Sequence, residues 1–125
     1  MQATAIDHVN LHVPADGTET ARAFYGDALG FEIEEYDDKP FFDVRLAPGA
    51  VLHLWPDEDF RPPDGDNYDH VAVRLDHEVD EVREALAEAD VEVDREGTPL
   101  GATGTAPAVY VTDPFGYQVE LKARE

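Results

Sequence analysis

The chain has 125 residues, of which 42% are hydrophobic and 30% are charged, which suffices for one domain with a real core. Nine basic against 29 acidic residues give a formal net charge of −20, so binding to nucleic acid or to anionic membrane surfaces is disfavoured. The absence of cysteine excludes disulfides and thiolate ligands, and with neither a signal peptide nor a ~20-residue apolar run we expect a cytoplasmic protein.

The first half of the chain predicts a strand, a helix and three further strands. Residues 6–13 alternate between apolar and polar side chains, as a half-buried strand does. Residues 18–29 place apolar side chains at helical spacing, and Gly30 then predicts the end of that helix. Alternation returns in three segments, at residues 31–36, 41–47 and 51–55.

The second half repeats this order. The segment Ile6-Asp7-His8-Val9 returns 62 residues later as Tyr68-Asp69-His70-Val71. A helix follows at residues 79–89, and three strands follow at 91–96, 108–112 and 117–122. We therefore predict a single α+β domain over residues 1–125. It consists of two βαβββ modules, 1–56 and 68–125, joined by a linker at 57–67 that is rich in Pro, Asp and Gly.

Four chemically active side chains occupy equivalent positions of the two modules. His8 and His70 begin the first strands, while His53 and Glu120 lie in the last strands at an offset of 67 residues. Strand alternation puts all four on the face away from the helices. Three imidazoles and one carboxylate are ligands that a divalent metal of borderline softness prefers, so the pattern predicts a metal site at these four residues.

Several segments resemble the vicinal oxygen chelate superfamily, which includes glyoxalases, bleomycin-resistance proteins, extradiol dioxygenases and fosfomycin-resistance enzymes. Residues 24–31 read FYGDALGF and residues 113–121 read DPFGYQVEL, and shorter matches surround the candidate ligands. These two segments also have structural tasks, because they supply core aromatics, a helix end and a tight turn. The resemblance extends over nearly the whole chain.

This resemblance implies a fold in which two βαβββ modules form a cup-shaped mixed sheet, with the helices on its outer face and one metal ion inside. It implies that the first and last strands of each module supply the ligands His8, His53, His70 and Glu120. It also implies a homodimer whose chains donate ligand pairs to each other. Zn²⁺, Mn²⁺, Ni²⁺ and Fe²⁺ all accept such ligands.

The chemistry implied by the resemblance is chelation of a small substrate through two adjacent oxygens, with the cation acting as a Lewis acid. Glu120 is the only carboxylate among the ligands and is therefore the candidate catalytic residue that moves a proton. The polar and aromatic neighbours on the same faces are the candidate substrate-binding residues. They are Asn10, His12, Trp55, Arg74, Tyr110, Gln118 and Lys122.

Three functions fit this interpretation. The first is a metal-dependent, glyoxalase-like enzyme that performs lyase or isomerase chemistry on a small oxygenated metabolite. The second is an extradiol dioxygenase, since His8, His70 and Glu120 form the two-histidine, one-carboxylate set of Fe(II) enzymes. The third is a metal-free binding protein like the bleomycin-resistance members. His53 stands where glyoxalase I enzymes typically carry glutamate or glutamine, which disfavours that specific activity.

The acidic residues are spread along the whole chain rather than concentrated in one tail, and Lys39 and Lys122 are the only lysines. A lysine-poor acidic surface is typical of proteins from salt-loving organisms, where ~1 M salt shortens the Debye length to ~3 Å and screens self-repulsion. An ordinary acidic protein is the alternative. This interpretation concerns habitat and not activity.

Overall fold

Two units, Met1–Arg61 and Pro62–Glu125, divide the chain in the computed structural model, which describes all residues 1–125. The boundary between them lies inside the predicted linker. Each unit contains a four-stranded sheet and one helical segment, so the predicted α+β fold with two βαβββ modules is confirmed. No helix is long and apolar enough to cross a membrane.

The first unit begins with strand β1 (His8–Pro14) and the short helix α1 (Thr18–Ala21). The helix continues as a π-helical segment, Arg22–Ala28. Three strands follow, which are β2 (Glu32–Glu34), β3 (Phe42–Ala47) and β4 (Ala50–Asp57). The sheet has the order β1-β4-β3-β2, with β1 parallel to β4 and the other pairs antiparallel.

The second unit begins with β5 (Val71–Arg74) and helix α2 (Val79–Glu88). Strand β6 (Arg95–Gly97) precedes a small hairpin of β7 (Leu100–Gly101) and β8 (Gly104–Thr105). The unit ends with β9 (Ala108–Thr112) and β10 (Gln118–Lys122). Its sheet has the order β5-β10-β9-β6, with β5 parallel to β10, which is the topology of the first unit.

The register of the parallel strand pairs is the same in both units. Asn10 of β1 lies opposite His53 of β4, and Ala72 of β5 lies opposite Glu120 of β10. Asn10 lies two residues after His8, and Ala72 lies two residues after His70. In each unit, the candidate ligand of the last strand is therefore paired with the residue two positions after the candidate histidine.

Alternation along these strands separates a core face from a polar face. Leu11 and Val13 of β1 are buried, whereas the alternating residues His8, Asn10 and His12 are exposed. The closing strands are buried more deeply, because each is flanked by strands on both sides. Glu120 and Lys122 of β10 are consequently buried although both are charged.

A tight turn at residues 113–116 connects β9 to β10 and so positions Glu120. The buried carboxylate of Asp113 accepts hydrogen bonds from the backbone N–H groups of Phe115 (2.9 Å) and Tyr117 (2.8 Å). Gly116 has φ = 100°, a conformation that side chains other than glycine rarely adopt. The DPFG segment thus acts structurally, as predicted.

Some strand bounds and one helix differ from the sequence-based prediction. Strand β2 is shorter than the predicted 31–36, because only residues 32–34 pair with a neighbouring strand. Strand β6 is both shorter than the predicted 91–96 and shifted, because pairing occurs at residues 95–97. The first helix is partly π-helical, as shown by the hydrogen bond from Leu29 N to Phe24 O (2.9 Å). The alternation and spacing of apolar side chains indicate which face of a strand or helix is buried. They do not specify which strands pair or whether a helix has α-type or π-type backbone hydrogen bonds.

We expect Leu52→Ala to lower the free energy of unfolding by about 2–5 kcal/mol, because the Leu52 side chain of β4 is fully buried in the core of the first unit. Leu100→Ala is the matched control, since Leu100 is 81% exposed. The control should change stability by no more than about 0.5 kcal/mol. Urea denaturation of both variants measures the difference, and equal effects would contradict the core described above.

Candidate functional site

Two of the predicted ligands, His8 and His53, lie side by side on the polar face of the first unit. Their ring centroids are 4.4 Å apart, with an interplanar angle of 43°. The side chain of His53 is half-buried and also contacts the ring of Phe41, at 4.3 Å between centroids. The parallel pairing of β1 with β4 brings the two histidines together.

The Nδ1 atom of each of these two histidines contacts the carboxylate of an aspartate. Nδ1 of His8 is 2.8 Å from Oδ2 of Asp7, and Nδ1 of His53 donates to Oδ1 of Asp43. Asp43 is only 3% exposed and lies opposite His53 across the β3–β4 pair. An ionised carboxylate only accepts hydrogen bonds, so the proton of each imidazole is on Nδ1. Nε2 of each ring therefore keeps a lone pair for a ligand.

The second oxygen of Asp43 is occupied by a tyrosine. The hydroxyl of Tyr36 donates to Oδ2 of Asp43 at 2.6 Å. This hydrogen bond to a carboxylate, together with burial, raises the pKa of Tyr36 to about 12. With both oxygens engaged, Asp43 holds the ring of His53 in one orientation.

His12 and Trp55 form a neighbouring aromatic pair. Their rings are stacked at 6.4 Å, and Nδ1 of His12 is 2.9 Å from Oδ2 of Asp57. The backbone N–H of Asp59 and, secondarily, His12 hold the pKa of the Asp57 carboxyl below its usual range. The indole N–H of Trp55 is buried and has no acceptor. A buried donor without an acceptor is energetically unfavourable.

In the second unit, the predicted ligands His70 and Glu120 are in direct contact. Nε2 of His70 is 3.2 Å from Oε1 of Glu120, and Nδ1 of His70 is 2.5 Å from Oδ1 of Asp69. Glu120 is 5% exposed. Burial, followed by a hydrogen bond to Glu120, raises the pKa of the Tyr110 hydroxyl. Tyr110 thus acts as a donor to this carboxylate.

The arrangement of His70 and Glu120 suits a bound cation. Nε2 of His70 and Oε1 of Glu120 are 3.2 Å apart, a separation that is accommodated either by a proton on Nε2 or by a cation bound to both atoms. Two atoms 3.2 Å apart are also spaced like neighbouring ligands of one ion, since metal–ligand distances of about 2.1 Å then enclose an angle of roughly 100°.

The four predicted ligands therefore occur as two pairs, one in each unit. No group of three or more histidine, aspartate or glutamate side chains has the arrangement of a metal site. The fifth histidine, His77, is exposed and lies 3.6 Å from Glu81 of its own helix.

The remaining predicted substrate-binding residues differ in exposure. Asn10 and Arg74 are exposed, and Gln118 is half-buried. Lys122 is 6% exposed, and its Nζ donates to the carbonyl oxygen of Gly104 at 2.6 Å. Tyr110 is buried beneath Arg95, whose guanidinium carbon is 3.7 Å from the ring centroid.

The model of the Glyoxalase/Bleomycin resistance protein/Dioxygenase superfamily matches residues 5–121. The chain belongs to this superfamily. The match includes all four candidate ligands and both units. None of the curated proteins matches this sequence.

Solved structures of other proteins have the same fold as this superfamily member. A glyoxalase family protein from Enterococcus faecalis is 23% identical, with a TM-score of 0.72 over 94% of this chain and 96% of that one. A lactoylglutathione lyase from Agrobacterium tumefaciens is 21% identical, with a TM-score of 0.70 over 98% and 96%. A glyoxalase/dioxygenase from Nostoc punctiforme is 21% identical, with a TM-score of 0.76 over 97% and 91%. At these identities the likeness establishes the fold alone.

Sequence reasoning missed three residues that contact the candidate site of this superfamily member: Asp43, Tyr36 and Arg95. Asp43 had a detectable signal, because it interrupts the apolar run Phe41-Phe42-Asp43-Val44 on the same strand face as Phe41. Arg95 donates to Oε1 of Gln118 at 3.3 Å besides covering Tyr110. Its place opposite Tyr110 depends on the β6–β9 register, which alternation does not specify.

We expect Asp43→Asn to lower the pKa of Tyr36 from about 12 towards the ordinary value of 10.0. The substitution removes the negative charge that disfavours the phenolate while keeping an acceptor for the hydroxyl. NMR of ¹³C-labelled tyrosine during a pH titration measures the change. Tyr68 is the internal control, because burial is the main cause that raises its pKa to about 12. An unchanged Tyr36 titration would contradict the contact.

Proposed function

We propose that this superfamily member is a divalent-metal-dependent, glyoxalase-like enzyme that acts on a small oxygenated metabolite by lyase or isomerase chemistry. The proposed ligands are His8, His53, His70 and Glu120. One observation carries the proposal: Nε2 of His70 lies 3.2 Å from Oε1 of the buried Glu120, which is the spacing of two neighbouring ligands of one ion. Nδ1 of His8, His53 and His70 each contacts an aspartate, as metal-binding histidines usually do, although His12 outside the proposed ligand set has the same contact with Asp57.

The donor chemistry favours Zn²⁺, Mn²⁺, Ni²⁺ or Fe²⁺ as the ion. When bound, a divalent cation supplies Lewis-acid stabilisation of negative charge on two adjacent substrate oxygens. The contact between His70 and the buried Glu120 supports the metal-dependent proposal over a metal-free binding protein, because it places two metal-ligand atoms side by side.

Within this proposal, Glu120 moves the proton. Its carboxylate is buried in the second unit, and a positioned glutamate is a common general base. It accepts a proton from a substrate carbon and returns it to the adjacent carbon, so an isomerisation balances without another reactant. Tyr110 orients the carboxylate through its hydrogen bond.

Elemental analysis of the purified protein after reconstitution with these four ions tests the proposal. We expect close to one metal ion per chain in the wild type and at least a tenfold lower affinity in His70→Ala, because the substitution removes one metal–ligand bond. His77→Ala is the matched control, since His77 is an exposed histidine of the same unit outside the candidate site.

No metal in the wild type under any of these conditions would overturn the enzyme proposal and favour a binding protein. Equal metal content in His70→Ala and His77→Ala would overturn the ligand assignment. Calorimetric titration of each metal into the apoprotein gives the affinities independently of any catalytic assay.

We further propose a homodimer in which each metal receives one ligand pair from each of two chains. A double variant, His8→Ala with His53→Ala, lacks the first pair, and His70→Ala lacks part of the second. Mixing the two variants by unfolding and refolding them together should restore about half of the metal sites of the mixed dimers. No recovery on mixing would contradict shared sites, and light scattering of the wild type checks the dimer itself.

A further inference from the structure

A pocket of about 380 Å³ lies within the second unit, at the carboxyl ends of β5 and β10. Three of the chain's nine basic residues line it, namely Arg74, Lys122 and Arg124. This is a high share for a chain with a net charge of −20. The volume is within the range of small-molecule sites.

Lys122 is the unusual member of this pocket. Its side chain is buried, yet its ammonium group makes a single hydrogen bond, to the carbonyl oxygen of Gly104. An ammonium group has three donors, and a buried charge without a counter-ion is unfavourable. The backbone makes room for it at Gly101, where a Cβ would lie 2.5 Å from Nζ. The fold thus accommodates a charge that no carboxylate of the chain compensates.

Arg74 adds a second uncompensated charge beside the first. Arg74 and Lys122 are direct partners in the parallel β5–β10 pair, so their side chains leave the same face of the sheet about 4.8 Å apart at the backbone. Like charges in neighbouring positions destabilise a sheet. Arg74 forms no ion pair, although 29 acidic residues are present in the chain.

The third cation is already neutralised. Arg124 lies 3.7 Å from Asp76 and 3.6 Å from both Glu78 and Glu81. Asp76 and Glu125 also line the pocket, which leaves Arg74 and Lys122 as its cations without a carboxylate partner. Two adjacent positive charges with free donors match one oxyanion group, which is a carboxylate or a phosphate.

We infer that Arg74 and Lys122 bind the acidic group of the substrate. This assignment of a substrate class rests on the proposed function, because it takes Glu120 as the reacting group. Glu120 and Lys122 are two residues apart on one face of β10, so their Cα atoms are about 7 Å apart. The substrate class is therefore a small oxygenated metabolite that carries a carboxylate or a phosphate.

The test uses the full chain freed of metal with a chelator, so that it does not depend on the metal site. Inorganic phosphate and acetate are titrated separately at constant ionic strength, and amide signals of Gly101 and Gly104 are followed by ¹H–¹⁵N NMR. We expect saturable shifts with at least one anion. Lys122→Met should weaken this binding at least about tenfold, because a charge-assisted hydrogen bond is lost.

Lys39→Met is the matched control, since Lys39 is the only other lysine and lies on the surface beside Asp38. Arg74→Gln alters an exposed residue and gives a second variant that does not disturb the interior. Binding of only one of the two anions identifies the acidic group and supports the inference. Absence of saturable shifts with both anions, or wild-type affinity in both Lys122→Met and Arg74→Gln, overturns it.

The two proposals fail in distinguishable ways. Loss of the anion site without loss of metal binding overturns the substrate class and leaves the metal-dependent function in place. An anion site in a protein that binds no metal overturns the proposed enzyme and leaves a pocket for an acidic ligand.

Discussion

The parallel pairing of the first strand with the last strand positions every candidate ligand in both units. In this arrangement β4 lies between β1 and β3, and β10 lies between β5 and β9. A strand with neighbours on both sides has its backbone donors and acceptors satisfied, so its polar side chains can be buried and held rigidly. Glu120 and Lys122 are buried for this reason. The same ladder pairs Lys122 with Arg74 of β5, and it pairs Glu120 with Ala72, two residues after His70.

The acidic residues of the chain have two different tasks. Most are exposed and contribute to a large negative surface charge. A few are directed at imidazoles, and Asp43 is the clearest example, because it is buried and its two oxygens accept from His53 and Tyr36. A buried carboxylate is tolerated only when its hydrogen bonds are satisfied. Asp43 therefore stabilises one orientation of His53 and is itself stabilised by Tyr36.

Positive charge is scarce in this protein, which makes its placement informative. Most arginines are paired with surface carboxylates, as Arg22 is with Glu35 and Arg83 is with Glu96. Long-range repulsion from a net charge of −20 would hinder an anionic ligand, especially at low salt. Arg74 and Lys122, which have no counter-ions, offset this repulsion only over a short distance. They therefore select an anionic ligand through direct contact and not through long-range electrostatic attraction.

The amino-acid sequence by itself determined the α+β class, the duplicated βαβββ order and the strand faces that carry His8, His53, His70 and Glu120. These features are local, because alternation with a period of two and the repeated segments are visible without knowing which strands pair. Only the tertiary structure decided that Asp43 stands behind His53, that Arg95 covers Tyr110 and that Lys122 is buried. Each of these contacts depends on strand register and burial between residues far apart in the chain, and no local pattern specifies those.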